Sequence, residues 1–198
     1  MDRLDVLLEE IDTFLAERDW YKFNSPANLS KTISIEAGEL LECFQWNEKD
    51  IDLEAIKEEI GDVISNSIQL CFALKVDPKE AMETYLSLND GFSKSKKSDR
   101  VLAMEEEAVP LEEISLASYA IRIVVGAGRL LEIFQWDEIS YNRNKAIERI
   151  GHLIALSVSF CEKLGFSFDT LTHEKILLTK EKYPVDKCKG VSTKYTEL

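Results

Sequence analysis

Residues 33–64 read ISIEAGELLECFQWNEKDIDLEAIKEEIGDVI, and the rest of the chain is organised around this stretch. It holds two pairs of acids, Glu36 with Glu39 and Glu59 with Asp62, and both pairs have i, i+3 spacing within a helical pattern of apolar residues. Residues at this spacing lie on one side of a helix, one turn apart. Two antiparallel helices can therefore direct all four carboxylates toward one point.

Four carboxylates that meet inside a protein need a counter-charge, because buried acids without one repel each other and lose their hydration. Mg²⁺ prefers oxygen ligands and often keeps water and substrate phosphates in its coordination shell. The sequence therefore predicts a Mg²⁺ site at these acids, with Mn²⁺ as the alternative metal. The competing interpretation is a solvated helix face, which is the usual role of charged patterns.

The composition excludes several classes of protein. The 198 residues are 45% hydrophobic, which suits one medium domain or two small ones, and the few Gly and Pro favour helices. The net charge of −13 argues against a nucleic-acid polymer as partner, because phosphate backbones are met by basic surfaces. No apolar run approaches the roughly 20 residues of a membrane span. The acidic N-terminus does not resemble a signal peptide and no CxxC motif is present, so we expect a cytoplasmic protein.

Helical periodicity recurs along the chain and predicts an all-α fold. The pair Asp77-Pro78 marks one helix start, since Asp is a common capping residue and Pro is favoured at the first helical position. A polar, Lys-rich segment follows the fourth helix, and a new helical stretch begins near residue 111. In the first half we expect helices at about residues 3–19, 26–46, 53–75 and 78–89.

The chain contains an internal repeat. Residues 37–46 read AGELLECFQW and residues 127–136 read AGRLLEIFQW, so eight of ten positions are identical at an offset of 90. The same offset aligns Gly61 with Gly151 and Cys71 with Cys161. We interpret the chain as a tandem duplication. Its predicted parts are a repeat with a complete metal site at residues 1–92, a linker at 93–110, and a repeat without the ligands at 111–198.

The second repeat keeps the packing residues but replaces all four predicted ligands. Because these positions change together, we interpret them as one functional unit that only the first repeat retains. Another acid persists: Glu58 is kept as Glu148, and we therefore interpret it as structural or solvated. The positions of Glu36, Glu39, Glu59 and Asp62 are taken in the second repeat by Gly126, Arg129, Arg149 and His152.

The spacing Glu36-x-x-Glu39 followed by Glu59-x-x-Asp62 resembles that of the MazG-like all-α nucleoside triphosphate pyrophosphohydrolases. Residues 14–46 and 58–63 look like the dCTP pyrophosphatase branch of that family. The resemblance covers residues 10–90 and, as a decayed copy, residues 115–165. It implies two four-helix bundles that pack as a dimer, which a tandem chain can form internally as a pseudo-dimer.

The resemblance also implies an activity. A nucleoside triphosphate, expected to be a pyrimidine dNTP such as dCTP, would be hydrolysed to the monophosphate and pyrophosphate with Mg²⁺ held by the four acids. These acids are then the catalytic residues, and the choice of general base among them stays open. Whether the duplicated chain forms a further homodimer also stays open.

Several residues of the first repeat are candidates for the nucleotide base. An aromatic face can stack on a base and an amide can read its edge. The alternative for Trp46 is core packing, because it recurs as Trp136 in the second repeat. The predicted pocket residues are Trp20, Phe23, Asn24 and Trp46, with Asn66 one turn after Asp62 and, by the resemblance, Asn89.

The cations that bind the phosphates have two candidate sources. One is the end of the second repeat, with Lys175, Lys180 and Lys182, and the other is the Lys-rich segment with Lys94, Lys96 and Lys97. Lysine would hold the departing pyrophosphate as a point charge.

Three other functions compete with the enzyme. A nucleotide-binding sensor would keep metal and ligand with weak or no turnover, and a structural partner protein would bind neither. A di-iron carboxylate bundle needs Glu-x-x-His pairs, and neither His of this chain follows a Glu by three.

Overall fold

The computed structural model describes residues 3–46, 51–89, 114–193 and 195–197. These residues form helices and short 3₁₀ turns without any strand, so the predicted all-α fold is confirmed. No helix in this part of the chain has the length and apolar character that a membrane span requires. The predicted linker at 93–110 lies outside the described residues. The helices are α1 (Arg3–Arg18), α2 (Pro26–Glu42), α3 (Leu53–Leu74), α4 (Pro78–Asn89), α5 (Leu116–Leu131), α6 (Arg143–Leu164), α7 (Phe168–Lys182) and α8 (Val185–Cys188).

Local capping explains where the helices begin. The Ser25 hydroxyl accepts a hydrogen bond from the backbone N–H of Asn28 before α2, and the Asp52 carboxylate accepts bonds from two N–H groups at the start of α3. Asp77 accepts a bond of 2.7 Å from the N–H of Lys79, as its position before Pro78 predicts. Such side chains satisfy N–H groups that have no partner within the helix.

The second helix ends earlier than its sequence pattern predicts. It stops at Glu42 rather than near Trp46. The N–H groups of Phe44 and Gln45 bond to the carbonyls three residues before them, at 3.0 and 3.1 Å, which tightens the last turn and ends the α-helix. The same happens in the second repeat, where a 3₁₀ turn at Glu132–Phe134 follows α5. Trp46 therefore lies beyond the helix.

The repeat seen in the sequence is also present in the structure. Helices α5, α6 and α7 begin at residues 116, 143 and 168, which is 90 positions after α2, α3 and α4. Helices α3 and α6 both end at a residue with left-handed backbone, Lys75 with φ of 55° and Gly165 with φ of 78°. The two copies thus share the starting positions of their helices, and their middle helices α3 and α6 have equal length and end at a left-handed residue.

The two repeats form an internal pseudo-dimer in which α4 and its counterpart α7 are exchanged. Helix α2 packs against α3 and α5, and α5 packs against α6. Helix α4 packs mainly on α6 of the second repeat, while α7 packs on α3 of the first. The buried apolar side chains form one continuous core across both copies, with Ile60 on α3 and Ile150 on α6 among its fully buried members.

Glycine allows the exchanged helices to approach closely. A Cβ atom at Gly61 would lie 3.1 Å from Cβ and Cγ of Lys175 on α7. A Cβ atom at Gly151 would overlap the backbone carbonyl of Ala81 on α4. The matching glycines at 61 and 151 therefore mark the two points where α7 crosses α3 and α4 crosses α6.

We expect Gly151→Ala to lower the free energy of unfolding by about 2–3 kcal/mol, because the new methyl group must displace the backbone of α4. Urea denaturation followed by circular dichroism measures this change. Gly128→Ala is the matched control, since a Cβ there meets no atom within 4 Å. It should leave stability unchanged or raise it by up to ~1 kcal/mol through helix propensity. Equal stability of both variants would contradict the close crossing.

Candidate active site

Three of the four predicted ligands converge between α2 and α3. Glu36, Glu59 and Asp62 each offer a carboxylate oxygen, and these oxygens all lie within 4.8 Å of one another. Glu39 is exposed and lies outside this group of three, one turn along α2 from Glu36. The structure therefore brings three acids to one point and leaves the fourth at the edge of the cluster.

Repulsion between the carboxylates of the cluster favours a bound cation. Burial raises the pKa of Glu36 to about 7, and the charges of Asp62, Glu39 and Glu59 contribute to this rise. Burial also raises the pKa of Glu59 to about 7, with contributions from Glu39 and Asp62. Each acid resists ionisation beside the others. The donor set of close, half-buried carboxylate oxygens fits a hard divalent cation.

Two lysines of the second repeat reach this cluster through α7. Lys175 is 5% exposed, and its Nζ lies 2.5 Å from Oδ2 of Asp62 and 3.5 Å from Oε1 of Glu58. Nζ of Lys182 lies 2.5 Å from the same Glu58 oxygen and 5.4 Å from the ring centroid of Tyr195. Burial raises the pKa of Asp62, and Lys175 opposes that rise.

The other candidate cations lie elsewhere or outside the described residues. Lys180 pairs with Glu10 of α1 at 2.7 Å, so it does not contribute to the acid cluster. The Lys-rich segment at residues 94–97 lies outside the described part of the chain. Of the structural and solvated roles that its persistence as Glu148 indicates, Glu58 fits the structural one, since it contacts both Lys175 and Lys182. The hydrogen bond from Lys182 holds the pKa of Glu58 below its usual value.

A line of polar side chains continues from the acids along α3. Asn66 donates a hydrogen bond of 2.9 Å to the backbone carbonyl of Asp62. Three residues further, Gln69 accepts a bond of 2.8 Å from Nδ2 of Asn24. Gln69 was not predicted from the sequence, although its spacing from Asp62 and Asn66 places it on the same helix face. Phe23, next to Asn24, is half-buried.

The two predicted tryptophans have different surroundings. The ring of Trp20 packs edge-on against Phe14 and Tyr183, and its indole N–H donates to the backbone carbonyls of Cys188 and Val191. These contacts place Trp20 between α1 and the C-terminal segment. Trp46 is 88% exposed, so the core-packing interpretation of this residue is wrong.

Asn89 ends α4, and its side chain lies outside what the structure describes.

The corresponding place in the second repeat is filled by apolar side chains and rings. A Cβ at Gly126 would lie 3.1 Å from Cδ2 of Leu153. His152 is buried and stacks on Tyr85 of α4, with ring centroids 4.5 Å apart. Tyr85 is the counterpart of Lys175 at the offset of 90. An aromatic stack therefore stands where the first repeat has its lysine–aspartate ion pair.

We expect Glu36→Gln to stabilise the metal-free protein at about pH 8 by about 1 kcal/mol, after allowance for solvent screening, or ~2–4 °C in Tm. The folded-state pKa of Glu36 is raised, so its ionisation destabilises the fold increasingly as pH rises from the unfolded value of 4.5 through about 7. Near pH 5 the gain should therefore disappear. Thermal unfolding in a chelator measures it, with Glu42→Gln at the exposed end of α2 as control. An equal gain at both pH values would contradict the repulsion.

Comparisons with known proteins agree with this geometry. The profile of the MazG-like family matches residues 31–100 and 121–198. The chain is 33% identical over 85 residues to dCTP pyrophosphatase 1 of Homo sapiens, an alignment that covers 38% of this chain and 50% of that protein. The identity to dCTP pyrophosphatase 1 of Bos taurus is 32% over 85 residues, with the same coverage. The chain thus spans about half the length of the curated relatives it matches.

No solved structure matches the chain. The family profile nevertheless covers most of both repeats, including all three converging acids and both lysines that reach them. This chain belongs to the MazG-like family.

Proposed function

We propose that the chain is a Mg²⁺-dependent nucleoside triphosphate pyrophosphohydrolase that converts a (d)NTP and water to the (d)NMP and pyrophosphate. The observation that carries this proposal is the convergence of Glu36, Glu59 and Asp62 beside the buried Lys175. The similarity to proteins named dCTP pyrophosphatase 1 supports a pyrimidine dNTP such as dCTP as substrate.

The metal would be held by Glu36, Glu59 and Asp62, with Glu39 within reach at the edge of the cluster. A bound divalent cation supplies charge neutralisation at the triphosphate oxygens and lowers the pKa of water. We propose Mg²⁺ because the donors are carboxylate oxygens, and Mn²⁺ accepts a similar donor set.

The reaction transfers the nucleotidyl group to water. The water oxygen attacks the α-phosphorus, the bond from this phosphorus to the bridging oxygen of the β-phosphate breaks, and pyrophosphate leaves. One of the four acids accepts the proton that the water loses. Lys175 and Lys182 place two positive charges beside the acids, where they can offset the charge of the triphosphate and of the departing pyrophosphate.

The base would lie along α3, away from the acids. Asn24 and Gln69 present amide donors and acceptors that can read the edge of a pyrimidine, and Phe23 offers an aromatic face beside them. Trp46 lies exposed beyond the end of α2, where a bound nucleotide can cover it. Trp20 has no part in this proposal.

A second candidate is a nucleotide sensor with weak turnover, favoured by the loss of all four acids from the second repeat. We also propose a cytoplasmic location. The four cysteines are free, as is usual in a reducing compartment.

The proposal is tested by incubating a panel of nucleotides with Mg²⁺ and measuring the release of monophosphate and pyrophosphate. We expect Asp62→Asn and Glu39→Gln each to lower kcat by about 100-fold or more, because each removes charge from the metal ligands. Glu132→Gln in the second repeat is the control and should retain full activity. Full activity of Asp62→Asn would refute the mechanism. Nucleotide binding without turnover would favour the sensor, and absence of divalent-metal binding would favour a structural protein.

The role of the exchanged helix is tested by a pair of lysines two positions apart. We expect Lys182→Gln to raise KM for the nucleotide by about tenfold, because a charge near the triphosphate is lost. Lys180→Gln is the matched control, since Lys180 pairs with Glu10 instead of the acid cluster. Steady-state kinetics separates the two variants. Equal KM values would show that Lys182 does not contribute to substrate binding.

A further inference from the structure

The second repeat reverses the charge of the site that it lost. The site of the first repeat contains five acids and two lysines, Lys175 and Lys182. The acids are Glu36, Glu39, Glu58, Glu59 and Asp62. At the matching positions, the second repeat has Arg129 and Arg149 with a single acid, Glu148, and Tyr85 replaces Lys175. This cationic cluster lies in a chain whose net charge is −13.

The guanidinium group of Arg149 has a hydrogen-bond donor without an acceptor in the described part of the chain. Its Nε is shielded from solvent and donates to no acceptor among the described residues. Burial raises the pKa of the neighbouring Tyr85, while the charge of Arg149 opposes that rise and the charge of Glu148 adds to it. Arginine and tyrosine are thus close, and Tyr85 in turn stacks on His152.

The symmetry of the repeat leads us to expect Arg129 opposite Arg149. Helix α5 packs on α6 as α2 packs on α3, and Arg129 and Arg149 are the counterparts of Glu39 and Glu59, whose charges interact. Within the described part of the chain, no ion pair involves either arginine. Two half-buried cations without acidic partners favour the binding of an external anion.

The interior next to these arginines is closed. Leu153 fills the space beside Gly126, and Leu156 replaces the polar Asn66. A metal and a nucleotide base therefore have no place corresponding to that in the first repeat. What remains is the rim between α5 and α6, where guanidinium groups can form paired hydrogen bonds with phosphate oxygens.

We propose that Arg129 and Arg149 form a second, non-catalytic site that binds a phosphate-bearing anion without metal. The source of the phosphate is either free pyrophosphate or the phosphate chain of a nucleotide, and both share this chemistry. The proposal does not depend on turnover at the first site, because the arginines and the acids lie on different repeats.

The test is titration calorimetry with pyrophosphate in the presence of a chelator, and with dCTP in a second arm. We expect wild-type protein to bind pyrophosphate, and Arg129→Gln/Arg149→Gln to bind it at least about tenfold more weakly. Lys187→Gln/Lys189→Gln removes the same charge from α8 and its C-cap and should bind as wild type does. Arg149→Lys should bind pyrophosphate with intermediate affinity, because lysine keeps the positive charge but cannot form the paired hydrogen bonds of a guanidinium group. Binding of dCTP that also needs the arginines would identify a nucleotide as a ligand, and its absence would identify pyrophosphate alone.

Further variants distinguish this site from the first one. Asp62→Asn and Lys182→Gln should retain metal-free pyrophosphate binding, whatever their effect on turnover. Thermal unfolding of the arginine double variant checks that it remains folded. Undetectable binding by wild type, unchanged binding by the arginine variant, or loss of binding in Lys182→Gln would each overturn the second site.

Discussion

The ion pair between Lys175 and Asp62 links the packing of the two repeats to the acid cluster of the candidate active site. It joins α7 of the second repeat to α3 of the first, with Nζ and Oδ2 2.5 Å apart and the lysine almost fully buried. A buried lysine is tolerated only with a partner for its charge. The acids therefore need α7 as a source of positive charge, and α7 needs the acids. Gly61 makes this contact feasible, because its missing side chain lets the stem of Lys175 lie against α3.

The exchange of α4 and α7 explains how the second repeat can lack the acids and keep the fold. The crossing of α7 with α3 and the crossing of α4 with α6 each require a close approach at a glycine. Each also requires a compatible pair of side chains next to that glycine. At α3 this pair is Asp62 with Lys175, whereas at α6 it is His152 with Tyr85, which stack at 4.5 Å. Both pairs fill the same place in the pseudo-dimer. Removal of the ligands from the second repeat was therefore compatible with packing, provided that the lysine of the facing helix changed as well.

The acid cluster destabilises the fold at neutral pH. Glu36 and Glu59 have pKa values near 7 because they are partly buried among like charges. Such an arrangement opposes folding at neutral pH and is relieved when a cation binds. The second repeat shows the alternative, in which Leu153 packs beside Gly126 and no acids meet. The same backbone thus supports a strained polar site in one copy and an apolar interior in the other.

The helices, the duplication and the paired spacing of the acids can be read from the amino-acid sequence. Helical periodicity, caps such as Asp77, and the i, i+3 spacing of Glu36 with Glu39 are local features, because they depend on residues within a few turns of each other. The early end of α2 is not evident from the sequence, because its last turn is tightened by hydrogen bonds at Phe44 and Gln45 that the apolar pattern does not reveal. Three features emerge only from the three-dimensional packing: α4 and α7 exchange partners, Lys175 and Lys182 rather than Lys180 reach the acids, and Trp20 packs against the C-terminal segment. These outcomes depend on contacts between residues as far apart as Glu58 and Lys175, separated by 117 positions, and no local spacing encodes which distant surfaces meet.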